Sequence, residues 1–324
     1  MIYRSLAEIG PDFGPSVITI GNFDGAHSGH RQIFRRVVAL ARELNARPTV
    51  LTFHPHPARI VAPERTLKLL NSPGERAEVM LREGIEQVLI VPFDRAFSHQ
   101  TPDEFVHRVL VEKLKVRAVL VGDNFRFGSG HAGSAETLVE LGRKYGFRTE
   151  IVKGVRLRGR LVSSTAVRRL IEAGNVSLAG RFLERPYALE GMVVPGHGVG
   201  SRKTVPTLNL ATRAEVLPAR GVYITRTTDP ANGRRWPSLT NLGVRPTFGG
   251  DTLAIETFLL APLEDGDPRA IRVEFLRRVR DERKFESPEA LKAQILKDAQ
   301  RARAYFRRLE RWAKPEPAQP GVIK

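Results

Sequence analysis

The stretch Ile20-Gly21-Asn22-Phe23-Asp24-Gly25-Ala26-His27-Ser28-Gly29-His30 carries the densest chemistry in the chain. It sets two imidazoles three residues apart among glycines. An apolar run, 17–20, leads into it, and a run with helical texture, 31–44, leads out. Strand, Gly-rich turn and helix start together suit a phosphate cradle, because backbone N–H groups at a helix N-terminus attract anionic oxygens. Gly21, Gly25 and Gly29 let the main chain approach a ligand. His27 and His30 can then donate to a phosphate under attack and stabilise the charge that builds there. The arrangement suits a nucleoside triphosphate. A zinc half-site is the competing use of two histidines, yet the chain has no cysteine and no third ligand stands nearby.

Four other segments hold candidate groups. In Gly122-Asp123-Asn124-Phe125-Arg126-Phe127-Gly128 the Asn124 amide can bond a base or ribose, or simply stabilise its own turn. Ser163-Ser164-Thr165-Ala166-Val167-Arg168 places hydroxyls at a helix start, the usual place for a cap. Hydroxyls with an arginine one turn later also make a phosphate clamp, since Arg can hold phosphate oxygens bidentately. Gly196-His197-Gly198-Val199-Gly200-Ser201-Arg202-Lys203-Thr204-Val205-Pro206-Thr207-Leu208-Asn209 is either a second phosphate loop or a mobile surface loop. Glu256 stands among apolar residues in the middle of a strand-like run, 254–260, where a lone carboxylate normally faces solvent.

The elements that must position these groups alternate over the first half of the chain. Strand-like runs at 17–20, 49–53, 87–91, 118–121 and 149–152 are interleaved with helix-like runs at 31–44, 73–83, 102–113 and 135–145. Such alternation predicts an α/β domain with a parallel sheet. Ligands bind beyond the carboxyl ends of such strands. His27 and His30, the segment Thr52-Phe53-His54-Pro55-His56-Pro57 and Asn124 follow three strands and so fall on one edge. Two short helices are predicted at 164–173 and 176–184. After Arg185-Pro186 the texture changes to short β runs at 187–194, 222–227, 238–242, 254–260 and 271–275, broken by Gly and Pro, which predicts a small barrel or sandwich. A helix is predicted from 288 to about 312, with Leu291, Ile295, Ala299, Ala302 and Phe306 on one face. The boundary is expected at 184–187, giving domains at 1–185 and 186–313 and a disordered tail at 314–324.

With 324 residues, two domains are the expected number. The net charge of +17 suits a nucleic-acid binder or an enzyme of polyanionic substrates. The basic residues are spread along helices and no run of interleaved aromatics appears, so no specific nucleic-acid partner is predicted. No apolar stretch is long enough for a membrane span, and the first residues carry no secretory h-region. A cytoplasmic protein without disulfides is expected, its oligomeric state left open.

The spacing His-x-Gly-His after a strand resembles the nucleotidyltransferase signature shared with class I aminoacyl-tRNA synthetases. The longer Gly-Asn-Phe-Asp-Gly-x-His-x-Gly-His resembles the bacterial bifunctional riboflavin kinase/FAD synthetase family. Gly-Asp-Asn-Phe-Arg-Phe-Gly and Ser163–Arg168 resemble that family's further nucleotide-site motifs. Pro206, Thr207 and Asn209 match the kinase loop, with Leu208 in place of Ala. Asn241-Leu242-Gly243-Val244-Arg245-Pro246-Thr247-Phe248 and Arg283–Leu291 extend the likeness over about residues 16–310.

The resemblance implies an α/β nucleotidyltransferase domain with a Rossmann-like parallel sheet, followed by a small β-barrel riboflavin kinase domain with a C-terminal helix. It implies that riboflavin is phosphorylated to FMN with release of ADP. It further implies that FMN is adenylylated to FAD with release of pyrophosphate, ATP and Mg²⁺ serving both steps. Its catalytic residues would be His27, His30 and Glu256, the last taking the proton of the ribityl 5′-hydroxyl. Its nucleotide site would use Gly21, Phe23, Asp24, Gly25, Asn124, Ser164, Thr165 and Arg168. Its kinase site would use Gly198, Gly200, Thr207 and Asn209, with Thr207 and Asn209 on the magnesium. The segment at 52–57 would contact flavin or stiffen its loop. The first domain alone would equally suit adenylyl transfer to pantetheine phosphate or nicotinamide mononucleotide. A monofunctional FMN adenylyltransferase with an inactive kinase domain is the alternative. Departures lie at Thr204-Val205, Thr257-Phe258, Gly266–Arg269 and His131, and bear on kinase rate and flavin affinity.

Overall fold

The structure, a computed structural model, describes residues 1–195, 207–247, 250–263 and 266–312. Main-chain proximity divides the chain into two units, Met1–Arg169 with Phe182–Arg185 and Leu170–Arg181 with Pro186–Lys324.

The first unit is built on strands β1 (Ile2–Tyr3), β2 (Ser16–Ile20), β3 (Arg47–His54), β4 (Gln87–Pro92), β5 (Val116–Gly122) and β6 (Arg148–Val152). They lie in the order β1-β4-β3-β2-β5-β6, and every neighbouring pair is parallel. A parallel sheet is covered on both faces, so its central strands are buried nearly throughout and mostly apolar, with Ser16, Thr19, Thr49 and Thr52 as buried hydroxyls. Ile18, Ile20, Leu51, Val119 and Val121 feed one core with Phe105, Val109 and Leu138. Val17, Val50, Val88 and Leu120 feed the other with Phe34, Val37, Leu40, Ala77 and Met80.

The helices that supply these residues are α1 (Ser28–Glu43), α2 (Pro73–Arg82), a segment over 102–113 and α3 (Ala135–Tyr145). Helix α1 starts three residues earlier than expected because His27 caps it, its Nδ1 accepting from the His30 N–H at 3.4 Å. Helix α2 opens with a Ser72/Glu75 capping box and Pro73. The 102–113 segment widens to π-helical turns from Phe105 to Lys113. Helices α4 (Ser164–Glu172) and α5 (Val176–Leu183) follow β6.

The second unit is a closed barrel of β7 (Tyr187–Val194), β8 (Thr207–Thr212), β9 (Gly221–Thr228), β10 (Arg235–Thr247), β11 (Gly250–Leu259) and β12 (Ala270–Arg280). The order is β7-β8-β11-β10-β9-β12, and every pair is antiparallel. Inside it runs a chain of fully buried hydroxyls: Thr257 to Thr240 at 3.0 Å, then Thr225, Ser238 and Thr227 at 2.8 Å each. Helix α6 (Pro288–Trp312) lays Ala299 and Ala302 against Val222, Ile224 and Leu239 on the outside. The parallel α/β sheet and the barrel with its C-terminal helix are those expected. Strand β8 was not: its Leu208 and Leu210 are buried while Thr207 is exposed, an alternation hidden behind the glycines before it. The expected tail and the loop residues Gly198, Gly200, Thr204 and Val205 lie outside the described residues.

Candidate active sites in the two units

In the first unit, β2 ends at Ile20 and the chain turns tightly before α1. Phe23, Gly25 and Ala26 all have positive φ there. At Gly25, φ is +79° and a Cβ would stand 2.6 Å from Leu70 Cδ1, so only glycine fits without strain. The turn is held by its neighbours. Asn71 Oδ1 accepts from the Gly25 N–H at 3.1 Å. Arg185 donates to the carbonyls of Gly25 and Ala26 at 2.8 and 3.1 Å.

The two histidines stack with ring centroids 3.6 Å apart. Both are kept neutral. Burial holds His27 at a pKa of about 4, with Arg185 adding to the effect. Burial holds His30 well below the imidazole range, and His27, Arg76 and Arg185 push the same way. Since His27 Nδ1 accepts a backbone N–H, its Nε2 is the protonated nitrogen and a donor. His30 Nδ1 is buried without a partner.

Asp24 lies at the bottom of the turn, 2 % exposed. Its Oδ1 accepts from the Leu70 N–H at 2.9 Å and its Oδ2 from Arg168 Nη2 at 2.8 Å. Burial raises the Asp24 pKa, while Arg168, the Leu70 N–H and Arg76 pull it back. Ser164 Oγ donates to the Asp24 carbonyl at 2.9 Å, and the cap of α4 is Ser163, whose Oγ accepts from the Ala166 N–H. Ser164 and Arg168 thus meet the turn, whereas Thr165 is exposed and 3.5 Å from Arg168 Nη1.

A cavity of about 470 Å³ opens beside this turn, lined by Gly21, Asn22, Phe23, Asp24, His30, Asn124 and Ser164 among others. It brings together the carboxyl ends of β2, β3 and β5, as the strand order requires. Its other wall is aromatic: Phe53, Phe93, Phe97, Phe105, Phe125 and Phe127. Asn124 is exposed, lines the cavity, and makes no side-chain hydrogen bond to a described residue. Pro57 lines the cavity, and His56, held at about 4 by burial and by Arg76, Arg168 and Arg59, accepts from the Ala58 N–H.

In the second unit the strand register decides which groups share a face. Thr207 stands opposite Phe258 and Asn209 opposite Glu256. Glu256 also stands opposite Asn241 on its other side. Directly paired residues point to the same side of a sheet, and residues two apart on a strand do likewise. Thr257 and Leu208 point inward and are buried. Thr207, Asn209, Glu256 and Asn241 therefore form one polar row on the outside of the barrel. Glu256, Asn209 and Asn241 are half-buried. All donors in this row that could meet a cation are oxygens, which suits Mg²⁺.

Sequence reasoning missed Arg76, Asn71, Arg185, Asn241 as a partner of Glu256, and the aromatic wall. Arg76 had a legible signal, for it falls four residues before Met80 on the buried stripe of α2. The phenylalanines had none, because only the topology gathers them.

A phosphate-cradle turn on a parallel sheet and a polar row on an antiparallel barrel define a two-part nucleotide-dependent transferase. An FAD synthetase family model matches residues 11–166, and a riboflavin kinase family model matches residues 183–306. The chain is 36% identical to the bifunctional riboflavin kinase/FMN adenylyltransferase of Escherichia coli K12, over 90% of this chain and 92% of that one. It is 36% identical to that of Pseudomonas fluorescens, over 94% and 97%. A crystal structure described as a macrolide-efflux protein of Streptococcus pneumoniae superposes with a TM-score of 0.84 at 28% identity, covering 94% of this chain and 98% of that one. The efflux label is that protein's; among the described residues of this chain no helix is long and apolar enough to cross a membrane. The chain belongs to the bifunctional riboflavin kinase/FMN adenylyltransferase family.

Proposed function

We propose that the chain phosphorylates riboflavin to FMN on the barrel, residues 186–313, and adenylylates FMN to FAD on the α/β domain, residues 1–185. The observation that carries this reading is that the polar groups fall into two constellations, each built from one unit. The histidine pair caps α1 in the first, and the row Thr207, Asn209, Glu256 and Asn241 lies in the second. Family membership makes both activities the expected pair.

For FAD synthesis, an oxygen of the FMN phosphate attacks the α-phosphorus of ATP. The bond to the β-phosphate oxygen breaks, and pyrophosphate leaves with its electrons. No protein nucleophile is needed, because positioning and charge stabilisation carry such transfers. His27 and His30, neutral in the free protein, act as hydrogen-bond donors to the reacting phosphate. The α1 N-terminus cradles the phosphates, the turn at Gly21, Phe23 and Gly25 shapes their approach, and Ser164, Thr165 and Arg168 supply further contacts to them. Asn124 reaches the base or ribose. The aromatic wall, with a cavity of about 470 Å³, suits a flat isoalloxazine ring.

For FMN synthesis, the ribityl 5′-hydroxyl attacks the γ-phosphorus of ATP and ADP leaves. Glu256 takes the hydroxyl proton. Thr207 and Asn209 would hold Mg²⁺ with ATP, and the cation supplies neutralisation of phosphate charge. Gly198 and Gly200 would bring backbone to the phosphates. Drawing on ATP at both steps, the protein is assigned to the cytoplasm.

The test supplies the purified chain with ATP and Mg²⁺ and either riboflavin or FMN, and resolves the flavins by chromatography. FMN and then FAD from riboflavin, and FAD with pyrophosphate from FMN, are expected. Riboflavin left unchanged would refute the kinase half, and FMN left unchanged the adenylyl-transfer half.

A further inference from the structure

Arg76 is the most deeply buried charge in the first unit, 1 % exposed on the apolar stripe of α2. Arginine is almost never fully buried unless paired. Arg76 forms no ion pair with a described residue. Its Nη1 donates to the Asn22 carbonyl at 2.5 Å, and that is its one hydrogen bond among the described residues. Nε and Nη2 are shielded from solvent and have no partner. Those two nitrogens are the side edge of the guanidinium, the edge that holds two oxygens of a carboxylate or phosphate in parallel bonds.

The surroundings supply no protein anion for that edge. The nearby carboxylate, Asp24, spends Oδ1 on the Leu70 N–H and Oδ2 on Arg168. Two guanidiniums therefore share one buried carboxylate, and one positive charge is left over. The other titratable groups near Arg76 are His30 and His56, both kept neutral by burial with Arg76 contributing. Burying an uncompensated charge is expensive.

Nor is Arg76 alone in lacking partners. Nine buried side-chain atoms in the described residues have no hydrogen-bond partner, and six belong to Asn22, His30, Asn71, Arg76 and Arg168. These residues are tied to one turn: Arg76 bonds the carbonyl of Asn22, Asn71 bonds the N–H of Gly25, and Arg168 bonds Asp24. Four of the six atoms are N–H donors: Arg76 Nε and Nη2, Arg168 Nε and Asn71 Nδ2. Unsatisfied buried polar atoms are rare in folded proteins, so a cluster of them calls for a missing partner. Unmet donors with excess positive charge call for an oxyanion.

We propose that Arg76 binds a phosphate oxyanion directly through its Nε and Nη2 edge, beside Asn22, which lines the first-unit cavity. The proposal rests on the reading that this unit binds ATP and FMN. The oxyanion comes from the ATP phosphate chain or from the phosphate of FMN. Arg168, paired with Asp24, shares the task, and Asn71 supplies a neutral donor.

The test uses full-length Arg76→Lys and Arg76→Gln. Inorganic pyrophosphate binding is measured by calorimetry, and kcat and KM for ATP and for FMN are measured in FAD formation. Riboflavin phosphorylation and urea unfolding serve as folding controls. The Lys variant keeps the charge but loses the fork, and the Gln variant loses both. We expect pyrophosphate affinity, or kcat/KM for FAD formation, to fall by about tenfold or more in Gln and by less in Lys, with riboflavin phosphorylation retained. A rise in KM for ATP with weaker pyrophosphate binding assigns the oxyanion to the nucleotide. A rise in KM for FMN with pyrophosphate binding unchanged assigns it to the flavin phosphate. Pyrophosphate affinity and both kcat/KM values within twofold of the parent in folded variants would overturn the proposal. So would an Arg76→Lys chain that cannot fold, which would make Arg76 a structural tether for Asn22. A parent chain that forms no FAD would instead refute the functional reading, while pyrophosphate titration would still test Arg76.

Discussion

Lowering the pH should destabilise the first unit through His27, and the size can be worked out. His27 is 6 % exposed, and its pKa is lowered from 6.5 to about 4, chiefly by burial. The unfolded chain therefore binds a proton more readily than the folded one between those values. Stability from keeping this imidazole neutral is fully present above pH 6.5 and is lost as pH falls through 4. At 1.36 kcal/mol per pKa unit, the full linkage is about 3 kcal/mol, of which about 2 kcal/mol is lost between pH 7 and pH 5. His30 and His56 add in the same direction, and carboxylates titrate in the same window, so a difference measurement is needed. His27→Asn removes the titrating ring and keeps an N-cap acceptor for the His30 N–H. Urea unfolding of parent and variant at pH 7 and pH 5 should show the parent losing about 2 kcal/mol more than His27→Asn. Parallel losses in the two proteins would refute the argument that burial holds His27 neutral.

Gly25→Ala should destabilise the first unit by about 1–3 kcal/mol, since alanine is strained at φ +79° and its Cβ would press on Leu70. Urea unfolding reads this, and FAD formation should fall with it. Asp24→Asn leaves Arg168 and Arg76 without a carboxylate between them, and breaking such a buried pair typically costs about 3–5 kcal/mol. Unfolding at neutral pH checks it, and an unchanged midpoint would contradict the charge reading. Thr257→Val removes one bond from the hydroxyl chain but leaves Thr240 its bond to Thr225, so the loss should be about 1 kcal/mol. Riboflavin phosphorylation should survive, because Thr257 points into the barrel and away from Glu256.

Much of the architecture could be read from periodicity, and its failures have physical causes. Runs of four or five apolar residues located the central parallel strands, since a sheet covered on both faces leaves no polar alternation to blur them. Strands β10 and β12 run beyond their expected ends. In β10 the residues Gly243 and Pro246 read as stops, yet the barrel register carries through both. The α1 start was misjudged because His27 is an uncommon cap. In the first candidate site, motif spacing pointed to the histidine pair, Asp24, Asn124 and Ser164, and the fold sets Asp24, His30, Asn124 and Ser164 around one cavity. Arg76 was overlooked although its position on an apolar stripe marks it as an anomaly. Phe53, Phe93, Phe97, Phe105, Phe125 and Phe127 span too much sequence to be seen as one wall. In the second site, Thr207 and Asn209 were read as loop residues. Only the pairing of β8 with β11 puts Asn209 abreast of Glu256.

The central claim is that two separate sites carry two steps, and a crossed pair of variants tests it most directly. His30→Ala and Glu256→Gln are each supplied with ATP and Mg²⁺ and with riboflavin or FMN, and rates of FMN and FAD formation are resolved by chromatography. His30→Ala should slow FAD formation by about 10²–10³, the usual effect of losing a charge-stabilising donor, and leave riboflavin phosphorylation near the parent rate. Glu256→Gln should slow FMN formation by about 10²–10⁴, the usual worth of a general base, and leave FAD formation from supplied FMN intact. Equal falls in both activities in either folded variant, or parent rates of phosphorylation in Glu256→Gln, would contradict the account.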